Sequence, residues 1–420
     1  MQNAYAYWRA THPLVFISFH LILGAASSSF FPQISFYNSL QLAIVILLIG
    51  IVLLLFFNNV KNQNFLQGLL VSIILVSWGL AIKFAAQKNN LLHIPYPNKF
   101  ILICQNWVIT KINLYIANKE ANGFALAILL GLKSDINKEL INAYTQLGII
   151  HIVAISGMHL QILFNNLNKI TQYFPKSKLF LTVELILLLL IVWTYTLMAF
   201  ASPSIVRAAL FFSFFTFGKF IGASSFVLNS IGGGLLVLLL FNVGDLSNIG
   251  LQLSYGAVIG IHLFYKLFFS AIELHNPIIK FLWSNCCMSL AAQLTTLPIL
   301  ALHFHQIAGW VLVSNFIMVP LSNFILYGLA ILLLLPNSLF ITHYWGQFME
   351  KYILYFNNMV SGWFQNTKAG SILITMHYFD ILFYYLILLF VYLWVYLKRP
   401  NYLIWTLVFI CVYLLRKLFS

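Results

Sequence analysis

The sequence predicts an all-α membrane protein: a polytopic transmembrane helical bundle of roughly 9–11 spans. It would include short or broken helices and one interfacial amphipathic helix. Three observations carry this. Of 420 residues, 62% are hydrophobic and only 7% charged, whereas soluble domains carry about a quarter charged residues. Apolar runs near 20 residues long, enough to cross the hydrocarbon layer, recur along the chain. Between 341 and 364, apolar and aromatic residues instead keep to one helical face opposite a polar one, the pattern of a helix lying in the head-group layer.

Taken in order, the first three spans are 13–33, 38–57 and 65–84, with polar turns such as 58–64 between them. Arg9 precedes an apolar stretch and Ala25–Ala26–Ser27 has the look of a cleavage site, but the further spans that follow at once favour an uncleaved first helix. Residues 85–120 change character, becoming basic, Asn-rich and moderately apolar. FILICQNWVITKINLYI within them suits a β-structure or an amphipathic helix equally. From 125 the chain reads ALAILLGLKSDINKELINAYTQLGIIHIVAISGMHLQIL. Ala125–Leu132 is apolar yet too short to span. Asp135 offers a helix N-cap with Glu139 in the first turn. Ile136, Leu140, Ile141, Tyr144 and Leu147 share one side, and Gly148 can end the helix.

Later spans lie near 179–199, 203–222, 226–242, 247–269 and 281–302. Pro203 suits a first helical turn, and Gly232–Gly233–Gly234 permits close helix approach. Pro320 divides 306–335, which reads either as a broken helix lining a cavity or as a Pro-kinked span. In 341–364 the stripe is Trp345, Phe348, Met349, Tyr352, Phe356, Met359 and Trp363. Gln347, Glu350, Lys351, Asn357, Asn358 and Ser361 fall mostly off it. Two last spans, 380–397 and 401–418, flank Lys398–Arg399–Pro400; the positive-inside rule puts that turn in the cytoplasm, but Arg416 and Lys417 pull the other way, so topology stays open. The resulting division is 1–84 N-terminal helices, 85–120 a polar segment, 121–335 a core, 336–378 the interfacial helix and loop, and 379–420 the C-terminal helices.

A formal net charge of +14 fits both positive-inside bias and a conduit for a polyanion. Cys104, Cys286, Cys287 and Cys411 form no CxxC or metal spacing. No metal or other cofactor is indicated, and Walker A and Rossmann glycine patterns are absent. His303 and His305 point apart on a helix and make a poor metal pair. Arg207 sits in the apolar SPSIVRAALFFSFF, where a guanidinium costs about 2.5–3.5 kcal/mol unless it meets water or a partner. It either contacts phosphate in a channel or snorkels to the interface near Pro203. Ser156–Gly157 with His151 and His159 invites a nucleophile reading, although no acid is evident to orient an imidazole. Gln252, Ser254, Gln293, Thr295 and Asn315 are polar groups inside apolar spans, bonded between helices or bordering water.

LLGLKSDI…AYTQLGIIHIVAISGMHLQI resembles the signature of the ComEC-type competence family, the inner-membrane DNA channels of bacterial transformation. SPSIVRA (202–208), GLQLSYGAVIG (250–260), SLAAQLTTLPIL (289–300) and HFHQIAGWVLVSNFIMVPLS (303–322) extend the likeness in the same order. The resemblance implies a channel passing single-stranded DNA into the cytoplasm, not an enzyme. Implied partners are the lipid bilayer, an outer DNA receptor, a cytoplasmic helicase, a separate nuclease and a second copy of the chain. It also implies the lateral helix at 341–364. The candidates for lining the DNA path are then Lys133, His151, Ser156, His159, Arg207, Gln252, Gln293, His305 and Asn315. Relatives usually carry an OB-like soluble domain, which about 35 residues near 85–120 cannot hold, so the domain is either missing here or reduced to a vestige. Many also carry a metallo-β-lactamase-like domain with an H-x-H-x-D-H motif, which this sequence lacks; nuclease activity is therefore not expected. An acid that relatives place just before G-x-Q-L-S is also missing, Asn248 being nearest and Asp245 further off. Against the channel stand a membrane hydrolase or glycan-handling enzyme using Ser156, a small-molecule transporter, and a degenerate relative without transport.

Overall fold

The computed structural model describes residues 12–27, 75 and 99–419, apart from 134, 135, 172, 174–176, 223–225, 242–246, 368–370 and 375. The expected span at 38–57, all but one residue of 65–84, the N-cap expected of Asp135, and Asp245 lie outside them. In chain order the elements begin with α1 Pro13–Ser27, α2 Lys99–Tyr115, α3 Lys119–Leu130, α4 Lys138–Gln146, α5 Ile150–Val153 and α6 Gly157–Thr171. There follow α7 Lys178–Met198, α8 Pro203–Phe220, α9 Phe226–Phe241, α10 Ile249–Phe269, α11 Pro277–Phe304 and β1 Gln306–Ala308. The last are α12 Val311–Leu334, α13 Phe340–Thr367, β2 Ser371–Leu373, α14 Tyr378–Leu397 and α15 Pro400–Phe419. The fold is an all-α membrane bundle. Helices α7, α11, α12 and α14 are long and apolar enough to cross a membrane by length and composition.

The chain divides into two compact units, one of residues 1–104 and 156–248, the other of 105–155 and 249–420. In the first, small residues set the packing. A Cβ on Gly232 of α9 would come 2.6 Å from the Val15 backbone nitrogen of α1, and one on Gly233 would come 2.7 Å from the Phe214 ring of α8. Bare glycine lets α9 meet the α1 backbone at Gly232 and seat the Phe214 ring of α8 at Gly233. Glu184, buried one turn and a half into α7, accepts from Thr171 Oγ1 (2.7 Å) and faces Lys219 Nζ at 3.5 Å. Lys219 also donates to Asn168 Oδ1 (2.8 Å), so the ends of α6, α7 and α8 share one polar knot.

In the second unit α10 and α11 form a tight antiparallel pair. A Cβ on Gly260 would collide with Thr295 Oγ1 and the Ala291 carbonyl, and Thr295 Oγ1 donates to the Gly256 carbonyl (2.7 Å). Gly256 and Gly260 thus form a small-xxx-small face. Pro298 lies inside α11 and has no N–H for the carbonyl of Leu294 four residues back. The hydroxyl of Tyr384 on α14 fills that vacancy at 2.8 Å, and Tyr385 donates to Thr295 O at 2.6 Å. Pro320 does not break its helix: α12 runs unbroken through it. The span expected from 306 starts only at Val311, because Gln306–Ala308 pairs antiparallel with Ser371–Leu373.

Residues 99–115, ambiguous in sequence, are helical. Lys111 of α2 is buried and donates to the Leu333 carbonyl (2.9 Å) and to that of Leu335, so a cation meets the negative end of α12. Burial lowers its ammonium below the usual lysine value. The cap of α4 is Asn137, whose side chain accepts from Glu139 N, while Gly148, with φ +73°, turns the chain after it. A Cβ on Gly148 would lie 2.7 Å from Val311 Cγ2.

Helix α13 corrects part of the reading of 341–364. Its buried face includes Gly346, Met349, Ile353, Phe356, Asn357 and Val360, packed on α3, α4 and α12, while Phe348 is about half exposed. Asn357, placed off the stripe by its polarity, lies on that face because its amide is fully used. Tyr144 Oη donates to its Oδ1 (3.0 Å), and its Nδ2 donates to Glu120 Oε1 (2.9 Å). Phe124, Tyr144 and Phe356 enclose this triad with ring centroids 6.0–6.3 Å apart. Glu350, off that face, accepts the N–H groups of Ala117 and Asn118 at the head of α3.

Candidate functional site

The HIVAISGMH string folds as the end of α5, a short link and the start of α6. Ser156 stands just before α6, and His159 sits three residues on. His159 Nδ1 lies 3.0 Å from Ser156 N and 3.1 Å from Ser156 Oγ, while His159 N donates to Ser156 O (3.1 Å). This is one half of a capping box, with imidazole in place of Glu or Gln, since the return bond from His159 N goes to the Ser156 carbonyl and not to its hydroxyl. Because Nδ1 accepts a main-chain N–H, the ring proton sits on Nε2 and the histidine is committed to holding the turn. That arrangement weakens the nucleophile reading of Ser156, whose hydroxyl faces a nitrogen already engaged.

Gly157 rests against α8: a Cβ there would come 3.3 Å from Ala208 Cβ. The SPSIVRA motif is therefore brought to the start of α6. Pro203 takes the first turn of α8, as its sequence favours. Phe200 and Ala201 before it both hold left-handed φ (55° and 44°), costly for residues with a Cβ. Among the described residues the Ser202 hydroxyl at the N-cap is buried with no hydrogen-bond partner. Arg207 is only 9% exposed, so it lies within the protein and does not snorkel outward.

In the second unit Ser289 Oγ on α11 accepts from Gln293 Nε2 (3.4 Å) and from Asn315 Nδ2 of α12 (3.1 Å). Among the described residues, Asn315 Oδ1 is buried without a hydrogen-bond partner. His303 Nε2 faces Gln252 Oε1 at 3.4 Å, joining the end of α11 to the start of α10. Amide and hydroxyl groups are thus paired across helices within apolar spans, and one acceptor is left to a donor such as water or an exocyclic amine.

Of the sequence-selected residues, Ser156, His159 and Arg207 belong to the first unit and the other six to the second. Gln293 and Asn315 are brought together through Ser289, which the sequence reading had not singled out. Lys133, His151 and His305 have exposed side chains; His305 closes α11 in a left-handed conformation, and its carbonyl accepts from Ile374 N (3.1 Å). Glu184 with Lys219, and the Glu120–Asn357–Tyr144 triad, were also missed. A lone Glu in the apolar span 179–199 was the available signal for the first; the triad joins residues too far apart in sequence to show one. Among the described residues no group of three or more His, Cys, Asp or Glu is placed to hold a metal ion.

The family described as Competence protein matches residues 128–399. ComE operon protein 3 of Bacillus subtilis (strain 168) is 32% identical over 207 residues, which are 49% of this chain and 25% of that protein. The chain therefore spans about a quarter of that relative's length. No solved structure matches it.

Proposed function

The chain belongs to the competence protein family, and from that premise we propose that it serves DNA uptake as the inner-membrane core that passes single-stranded DNA into the cytoplasm during natural transformation. The observation that carries the reading is the family match across 128–399, which contains Arg207 and the Ser289–Gln293–Asn315 cluster. The mechanism is passive guidance, not enzymatic turnover. Amide, hydroxyl and guanidinium groups inside apolar helices border water that the strand shares, and cations offset phosphate charge. Exposed or partly exposed aromatics supply faces on which unpaired bases stack. Energy then comes from a cytoplasmic helicase, DNA from an outer receptor, and removal of the second strand from a separate nuclease; a homodimer is the expected assembly.

Deleting the gene in a transformable host and scoring labelled DNA in the cytosol separately from DNA bound at the surface tests this. Internalisation should collapse while surface binding persists. Unchanged internalisation would overturn the proposal.

A further inference from the structure

We propose that one end of the α10–α11–α14–α15 bundle is a basic surface fitted to an anionic phospholipid leaflet, which fixes this bundle's orientation with the α10–α11 and α14–α15 turns in the cytoplasm. The inference stands apart from the DNA reading. It starts from helix direction. Helices α10 and α11 run antiparallel, since Gly260 abuts Ala291 and Gly256 lies beside Thr295. Helix α14 is tied to α11 at Leu294 and Thr295 through Tyr384 and Tyr385. Two contacts set its direction. β2, just before α14, pairs with β1, just after α11; Phe264 near the end of α10 meets Tyr392 near the end of α14, ring centroids 5.7 Å apart. The end of α10, the start of α11 and the α14–α15 turn therefore lie at one end of this bundle.

Lys266, Lys280, Lys398 and Arg399 all fall at that end, with Glu273 between the first two in sequence. Lys398 and Arg399 are exposed, and Lys280 Nζ lies over the Phe269 ring at 5.8 Å. Tyr396, two-thirds exposed, adds an aromatic at the same level, as expected where a helix leaves the hydrocarbon for the head groups.

The opposite end is different. Arg416, which opposed the orientation when charges were counted along the sequence, lies 3.8 Å from Asp380 Oδ1 and 4.8 Å from the Phe379 ring. Its charge is engaged within the α14–α15 hairpin, leaving Lys417 as the other basic residue of these helices at that end. Four basic residues against two, one of them paired, decide the orientation under the positive-inside rule. Clustered Lys and Arg beside a membrane are the footprint of anionic lipid. The β1–β2 pair consequently faces away from the cytoplasm.

The test replaces Cys104, Cys286, Cys287 and Cys411 with Ser in the full chain and adds Ser270→Cys or Leu373→Cys, both at exposed positions. A membrane-impermeant maleimide is applied to right-side-out spheroplasts and to inverted vesicles. Ser270→Cys should react only in inverted vesicles and Leu373→Cys only in spheroplasts. Adding K280Q, K398Q and R399Q should raise spheroplast labelling of Ser270→Cys about tenfold or more. Reversed labelling, labelling from both sides before the charges are removed, or no response to the triple change would each overturn the proposal. Scoring DNA internalisation in the same strains separates its failure from failure of the uptake reading.

Discussion

Replacing Tyr384 by Phe deletes one oxygen and leaves the ring. The lost bond is the 2.8 Å donation to Leu294 O, the carbonyl that Pro298 leaves without its helical N–H. Hydrogen bonds between membrane helices average about 0.6 kcal/mol and reach about 1.7, while an unmet buried acceptor costs about 1–3 kcal/mol. Leu294 has no second main-chain donor in register, so the expected loss is about 1–1.5 kcal/mol, near the upper end of the membrane values. Tyr385→Phe is the internal control. It removes a 2.6 Å bond to Thr295 O, but Ile299, unlike Pro298, has an N–H for that carbonyl, so about 0.5 kcal/mol is expected. Pro298→Ala returns the missing donor, and the cost of Tyr384→Phe should shrink by about half or more in that background, a coupling read from a double-mutant cycle. The assay is reversible denaturant titration of purified protein in detergent micelles. Equal losses for Tyr384→Phe and Tyr385→Phe, or an unchanged cost in the Pro298→Ala background, would refute the reasoning.

Three further outcomes follow from the packing. Tyr144→Phe should cost about 1–3 kcal/mol by leaving Asn357 Oδ1 without its buried donor. Burial, with Glu120 second, raises the Tyr144 hydroxyl well above its ordinary 10.0. Its contribution is therefore full below about pH 10, and above that it falls by about 1.4 kcal/mol per pH unit as only the unfolded form ionises; alkaline titration of stability should show a shallower decline in Tyr144→Phe. Gly260→Leu drives a side chain into Thr295 and the Ala291 carbonyl, at or beyond the about 1–3 kcal/mol of ordinary overpacking. Gly256→Ala, whose Cβ would meet Ile299 Cδ1 at 3.5 Å, should be nearly neutral, as the yields of monodisperse protein would show. Lys111→Met keeps the stem and removes the charge from the end of α12, with a loss of about 1–2 kcal/mol in thermal stability.

Much of the fold was legible because a membrane leaves few choices: long apolar runs must be helices, and those near 178–198, 277–304 and 378–397 are. Gly148 and Pro203 mark their turns for local reasons that travel with the residue type. What failed was whatever depends on a distant partner. Asn357 reads as solvent-facing until Tyr144 and Glu120 arrive from other helices. FILICQNWVITKINLYI is undecided until Lys111 meets the end of α12. The strand at 306–308 needs residues some 65 positions later to exist. In the candidate site, polar residues inside spans were visible one by one, but their pairing was not. Ser289 drew no notice, yet it receives both Gln293 and Asn315. Ser156 and His159 were noticed for a chemistry their geometry turns toward capping.

Photocrosslinking in transforming cells tests the DNA path most directly. A photoreactive amino acid at Asn315, beside Ser289 and Gln293, should capture labelled single-stranded DNA during uptake, while the same probe at half-exposed Leu389 of α14 should capture lipid and little DNA. DNA adducts at Asn315 that depend on competence and exceed those at Leu389 are the predicted result. Absence of adducts at Asn315 during normal DNA internalisation would contradict a conduit through this cluster.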